Sequence, residues 1–331
     1  MQEARYDVIA IGNAIVDVMS PCTDELIEEF GMARGAMTLV DARQAADLYD
    51  AMGPAREISG GSAANTLAGL SALGAQCAFI GQVADDQLGA VFAHDIRAVG
   101  IDFDTPPRKG EPSTARCLIF VTPDGQRTMH TFLGASQYLP ASALDEEAIG
   151  GASILYLEGY LWDPEEPRAA MRRAIETARA AGRKVALTLS DVFVIARHGD
   201  DFLALIAEGM IDILFANEAE LAAITDCRDF EEGIAKLAPQ VPLLVVTRSE
   251  KGAVALSGGE RAEVAAEPVD EVVDTTGAGD LFAAGFLFGH ARGRDLGTSL
   301  RMGAIAAAEV ISHYGARPEA DLKALIESRL G

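Results

Sequence analysis

The chain has 331 residues, 49% of them hydrophobic, which is enough to close one large core or two smaller ones. Its 50 acidic against 27 basic residues leave a net charge of -23. That balance argues against an extended surface for a nucleic-acid backbone or an anionic membrane, because both need clustered Lys and Arg. Four scattered cysteines without a Cys-Xaa-Xaa-Cys pair, and five histidines without ligand spacing, exclude a disulfide framework and a zinc site. The opening Met-Gln-Glu-Ala-Arg lacks the zones of a secretory leader, and no apolar stretch reaches the ~18 residues of a spanning helix. The chain therefore reads as cytoplasmic, with small molecules rather than nucleic acid or membrane as partners.

Val8 to Ile11 is the first short apolar strand. It ends in Gly12-Asn13-Ala14-Ile15-Val16-Asp17, at the carboxyl edge where open α/β sheets bind ligands. Asp17 can accept hydrogen bonds from two hydroxyls of one sugar, or cap a turn. Gly60-Gly61-Ser62-Ala63-Ala64-Asn65-Thr66 then runs into a helix over Thr66 to Leu73. Gly60 and Gly61 leave room for a ligand to approach the backbone, and Asn65 offers a donor and an acceptor for vicinal hydroxyls. A plain N-cap turn would have the same composition.

Strands at Cys77 to Ile80, Ile154 to Leu157, Val185 to Leu189, Ile211 to Phe215 and Leu243 to Val246 alternate with helices at Gln87 to Val99, Pro167 to Ala181 and Glu218 to Ile224. This alternation predicts an α/β fold with a mostly parallel central sheet between helices. Ala115 to Val121 and Arg127 to Phe132 break the rhythm, flanking Thr122-Pro123-Asp124-Gly125-Gln126 as a β-hairpin. With the segment from about Asp17 to Val40, the hairpin can form a small sheet over one edge of the core.

Asp274-Thr275-Thr276-Gly277-Ala278-Gly279-Asp280 precedes an apolar, small-residue helix over Leu281 to His290. A Gly-Ala-Gly turn opening a helix points unpaired amides at one spot, and the helix dipole adds partial positive charge there. The Gly277, Ala278 and Gly279 amides thus form a candidate anion hole, and Asp280 can take a proton from a hydroxyl beside it. A hydroxyl and a phosphoryl group at one place point to a kinase. The chain has no Walker-type lysine loop and no Gly-Xaa-Gly-Xaa-Xaa-Gly after the first strand, which disfavours P-loop and nicotinamide enzymes.

The 274–280 block resembles the C-terminal signature of the ribokinase family, the PfkB-type carbohydrate kinases. The 60–66 segment and Asn217-Glu218-Ala219-Glu220 are similar to the family's other two motifs, in the same order. Asn13 to Asp17, Ile154 to Tyr160, Leu187 to Phe193, Ile211 to Glu218 and Gly315-Ala316-Arg317-Pro318 resemble its adenosine kinase branch most. The resemblance implies a three-layer sandwich in one domain over 1–331, with a β lid from about 17–40 and 108–135 inserted in it. It implies ATP and Mg2+, leaves room for a monovalent cation such as K+, and allows a monomer or a homodimer. Asp280 would be the base, and Asn13, Asp17, Gly60, Gly61 and Asn65 would hold the acceptor.

Leu39 and Phe193 are candidates for a purine face, although either can equally be a core residue. Arg127 would close over the phosphates, unless it is a solvated surface side chain. Asn217, Glu220, Thr247, Gly252 and Gly279 would serve ATP, with Glu220 reaching the metal through water. Asn217 can also be a simple N-cap. Thr247-Arg248-Ser249-Glu250-Lys251-Gly252 resembles the family's nucleotide loop, with Ser249 where a glycine is usual. The small helix Gly303 to Ile311 is the expected wall for the adenine. The acceptor expected from the resemblance is adenosine, at its 5′-hydroxyl. Ribose, fructose, inosine and guanosine remain alternatives within the class, and an inactive nucleoside-binding regulator remains one outside it.

Overall fold

The structure, a computed structural model, describes residues 4–331. Residues 1–3, part of the opening stretch discussed above, lie outside the described residues. The first part of the chain forms β1 (Tyr6–Ile11), β2 (Ile15–Pro21), α1 (Asp24–Glu29), β3 (Met37–Leu39), α2 (Ala42–Ala51), β4 (Arg56–Gly60), α3 (Ser62–Ala72), β5 (Cys77–Ile80), α4 (Gln87–Ala98) and β6 (Ile101–Asp102). The middle adds β7 (Ala115–Val121), β8 (Arg127–Phe132), α5 (Glu146–Gly150), β9 (Ala152–Glu158), α6 (Glu165–Ala180), β10 (Lys184–Thr188), α7 (Val192–Ala207), β11 (Ile213–Asn217) and α8 (Glu218–Thr225). The last third is α9 (Phe230–Leu237), β12 (Leu243–Thr247), β13 (Ala253–Ser257), β14 (Glu260–Val264), α10 (Ala278–Ala291), α11 (Leu296–Val310) and α12 (Leu322–Leu330).

Nine strands make one sheet in the order β14-β13-β12-β11-β10-β9-β1-β5-β6. Pairing is parallel from β12 to β6, and the β13–β14 hairpin closes the other edge antiparallel. The inner strands are apolar on both faces because helices cover both. In β1, Val8 and Ala10 pack with α3, α4, α10 and α11, whereas Ile9 and Ile11 pack with the layer from α5 to α9. Every parallel strand therefore ends at the same edge, and the turns that leave β1, β9, β10, β11 and β12 gather there.

A second sheet has the order β3-β8-β7-β2-β4. The hairpin strands β7 and β8 form with the boundaries that the turn chemistry predicts. The small sheet differs from expectation in recruiting β4, which pairs antiparallel to β2 with Asp17 opposite Ile58 and Ile15 opposite Gly60. This register places the two glycines directly beside the Asn13 to Asp17 turn.

Candidate active site

Asp280 occupies the first turn of α10, with Gly277 as N-cap at φ 79. A Cβ on Gly277 would stand 2.7 Å from the Ala316 methyl, so the left-handed turn and the close packing both require glycine. Among the described residues the Gly277, Gly279 and Asp280 amides donate to no protein acceptor, and space beside Gly279 is open. The Ala278 amide, by contrast, folds back onto the Thr275 carbonyl at 3.2 Å, so the expected anion hole has Asp280 N–H in its place. Asp274 fixes the loop. Its Oδ1 accepts from the Thr276 amide and hydroxyl at 3.0 and 2.7 Å, and its Oδ2 accepts from the Gly315 amide at 3.0 Å.

The Asp280 carboxylate reaches across to α3. Ser62 donates to its Oδ1 at 2.6 Å and Asn65 Nδ2 to its Oδ2 at 3.3 Å. Burial pushes the Asp280 carboxyl up to about 6, and those two hydrogen bonds, then the Arg317 charge, pull against that rise. Asp17 projects toward the same space without a hydrogen-bond partner of its own among the described residues. It too is pushed up to about 6 by burial, with Arg317 and Arg127 pulling it down and Asp280 pushing it up. A Cβ on Gly60 would lie 2.4 Å from Asp17 Oδ2, and one on Gly61, at φ 98, would lie 2.2 Å from the Asn13 carbonyl. The two glycines are thus required by the tight fit of β4 against the turn after β1.

Two of the expected acceptor residues, Asn13 and Asn65, have protein partners in this structure. Asn13 is buried and turned inward: its Nδ2 donates to Glu158 Oε1 at 2.6 Å and its Oδ1 accepts from Ser136 at 2.7 Å. Asn65 bridges Asp280 and Arg317 rather than facing open space, because its Oδ1 accepts from Arg317 Nε at 3.0 Å. Both amides satisfy buried charges, which an enclosed site requires. Arg127 is neither a solvated side chain nor poised over open space. It is 8% exposed, paired with Asp274 Oδ2 at 2.5 Å and laid 5.4 Å from the Tyr314 ring, since a buried guanidinium needs a counter-charge.

Glu158 and Arg317 belong to this constellation; in sequence each stands inside a segment that resembles the adenosine kinase branch, with no role of its own. Glu158 ends the apolar strand β9 and accepts from the Asn13 and Ala63 amides at 2.7 and 2.9 Å. Burial pushes it up to about 7 against those bonds, and Asp280 adds to the rise. A charged residue closing a central strand at its carboxyl edge was the available signal. Arg317 follows no spacing rule; its role emerges from packing alone.

At the carboxyl ends of β11 and β12, Asn217 caps α8, and its register partner is Thr247. Asn217 and Glu220 form a capping box: the Glu220 amide donates to Asn217 Oδ1 at 2.8 Å, and Asn217 N and Nδ2 donate to the Glu220 carboxylate at 3.1 and 2.6 Å. Glu220 is consequently buried, and burial raises it to about 7, partly offset by the Asn217 amide. Among the described residues no group of three His, Cys, Asp or Glu side chains is placed to cage a metal. A carboxylate of this kind can meet Mg2+ through water, as the ion retains much of its shell and takes phosphate oxygens. Ser249 adopts φ 51, a left-handed conformation that glycine takes more readily than a residue with a Cβ. Gly252, at φ 89, has the Val264 carbonyl 1.9 Å from where a Cβ would stand.

Leu39 is an exposed residue on β3, an edge strand of the small sheet. Phe193, in the first turn of α7, is half-buried with its ring 6.1 Å from that of Tyr160. The structure gives no contact between Leu39 and Phe193.

A model of the pfkB family carbohydrate kinases matches residues 37–322, spanning both glycine-rich segments and the capping box. The chain belongs to this family. The adenosine kinase structure from Sinorhizobium meliloti is 48% identical, covers 98% of this chain and all of its own (100%), and superposes with a TM-score of 0.90. The probable sugar kinase structure from Rhizobium etli is 45% identical, with 98% and 99% covered and a TM-score of 0.91. The adenosine kinase of Saccharomyces cerevisiae is 25% identical over 93% of this chain and 95% of its own. As a pfkB-family kinase, the protein is an ATP-dependent phosphotransferase with a hydroxyl acceptor, and the family generally works with Mg2+. Among the described residues no helix is long and apolar enough to cross a membrane.

Proposed function

We propose that this pfkB-family kinase transfers the γ-phosphoryl group of ATP to the 5′-hydroxyl of adenosine, giving AMP and ADP. The observation that carries the acceptor is the near-complete likeness to the Sinorhizobium meliloti adenosine kinase, at 48% identity. The chemistry rests on Asp280, whose carboxylate stands beside the free amides of its own helix N-terminus. Asp280 takes the hydroxyl proton as the acceptor oxygen bonds to phosphorus and the bond to the β–γ bridging oxygen breaks. The Gly277, Gly279 and Asp280 amides neutralise the moving charge. Asp17 accepts from the ribose hydroxyls, and Leu39 and Phe193 offer apolar surface to the purine. Thr247, Gly252 and Asn217 line the ATP end, and Glu220 would hold Mg2+ there through water, an ion that would supply positive charge to the phosphates. A monovalent cation is compatible with this reading but no residue argues for it.

A second reading, phosphorylation of a free sugar, draws on the Rhizobium etli relative and on Glu158, an extra buried carboxylate at the acceptor end. The deciding experiment is ADP release with Mg-ATP against adenosine, inosine, guanosine, ribose and fructose, with Asp280→Asn as the blank. Adenosine preferred, and at least ~100-fold lost in the blank, is the expected result. Turnover on ribose or fructose instead would discard the adenosine reading.

A further inference from the structure

Arg317 lies in the segment between α11 and α12 and enters the acceptor end from behind. Its Nη2 donates to the Ser59 carbonyl and hydroxyl at 2.6 and 3.0 Å, and its Nε donates to Asn65 Oδ1 at 3.0 Å. Its Nη1 is enclosed by protein and has no hydrogen-bond partner. The guanidinium is therefore fixed by β4 and α3 at once.

An arginine can only donate, whereas an asparagine amide can present either end. With Arg317 on its oxygen, Asn65 is obliged to turn Nδ2–H toward Asp280, where it donates to Oδ2 at 3.3 Å. Released from Arg317, the same amide could turn its oxygen to the carboxylate and repel it. The groups facing Asp280 are Ser62 and Asn65 from α3, Asp17 from β2, Tyr156 and Glu158 from β9, Tyr160 from the turn that follows, and Arg317. Asp17 and Glu158 disfavour a charged Asp280. Arg317 is the cation in this set.

We propose that Arg317 is a positioning residue for the catalytic base: it sets the orientation of the Asn65 amide and supplies the charge that keeps Asp280 ionised. This rests on Asp280 being the base.

The test is kcat/KM and kcat against pH from 5 to 9 for the whole protein, Arg317→Met and Arg317→Lys, using the acceptor preferred in the panel above. In Arg317→Met the acid limb moves up by more than roughly half a unit, because the charge and the Asn65 orientation that favour ionised Asp280 are both lost. Much of its turnover then returns at pH 9, where Asp280 is ionised without help. Arg317→Lys keeps the charge, and its limb stays within about half a unit of the parent. A loss in Arg317→Met that is uniform across pH, with Asp280→Asn inactive, overturns this inference and leaves the base assignment standing. Normal turnover in Asp280→Asn removes the base assignment itself. If Arg317→Met fails to fold by circular dichroism, Arg317→Lys decides: a limb displaced by a full unit or more overturns the proposal.

Discussion

Arg127, the first residue of β8, and Asp274, the first residue of the anion loop, form a buried ion pair 2.5 Å apart with both side chains 6% exposed. It ties the small sheet to the loop that starts α10. The same carboxylate orders Thr276 and Gly315, so one group holds three segments together. Removing one partner strands a buried charge, which costs ~3–5 kcal/mol. Arg127→Met and Asp274→Asn are each expected to lose that much in urea unfolding, and the double variant at least ~1 kcal/mol less than their sum. Strict additivity would show that the two charges are not coupled.

The loop after β12 carries two left-handed residues with opposite expectations. Ser249, at φ 51, pays the backbone penalty of a residue with a Cβ, whereas Gly252, at φ 89, faces the Val264 carbonyl. Ser249→Gly is expected to hold or raise stability by up to ~1 kcal/mol. Gly252→Ala is expected to lower it by ~2 kcal/mol or more, from strain and clash together. Thermal unfolding of both variants checks the pair; a neutral Gly252→Ala would mean that the loop relaxes around the methyl.

The strands and the anion loop were legible because their signals are local. Apolar runs of four to seven residues at Val8 and Leu243, alternating with longer amphipathic segments, read as buried strands, and Gly-Ala-Gly before an apolar run reads as a helix start. Partnering was not legible. Asn13 and Asn65 read as free amides in sequence, yet each is consumed by a charge far along the chain, Glu158 and Arg317 respectively. The strand at Arg56–Gly60 was missed because its pattern is mixed; β4 exists through pairing with β2, a tertiary choice. The burial of Arg127 was not legible for the same reason, since its counter-charge, Asp274, lies on another element.

Gly60 offers a test of the acceptor end that leaves the nucleotide end alone. A methyl there would stand 2.4 Å from Asp17 Oδ2 and displace the carboxylate. Gly60→Ala is expected to raise the acceptor KM ~10-fold or more, as sub-ångström placement errors do, with the ATP KM unchanged. Equal rises in both would show a general loss of structure instead.

Activity and stability are expected to respond to pH in opposite directions. Asp280 must be ionised to take a proton, and with its carboxyl at about 6, kcat/KM should fall roughly tenfold from its plateau by pH 5. Stability follows the other sign. Asp17 and Asp280, at about 6, and Glu158 and Glu220, at about 7, hold protons more tightly in the fold than in the unfolded chain. Their contribution is fully present at low pH and is lost as pH rises through those values. Burial lowers His130 and His290, so below the ordinary imidazole value near 6.5 these two act against the carboxyls. Between pH 6.5 and 8 the unfolded imidazoles lose the half proton they still hold, which offsets only part of what the four carboxyls contribute. The ligand-free protein should therefore be more stable at pH 6.5 than at pH 8 by roughly 1–2 kcal/mol. Denaturant melts at the two pH values decide it; equal or greater stability at pH 8 would mean that these carboxyls titrate as they do in water.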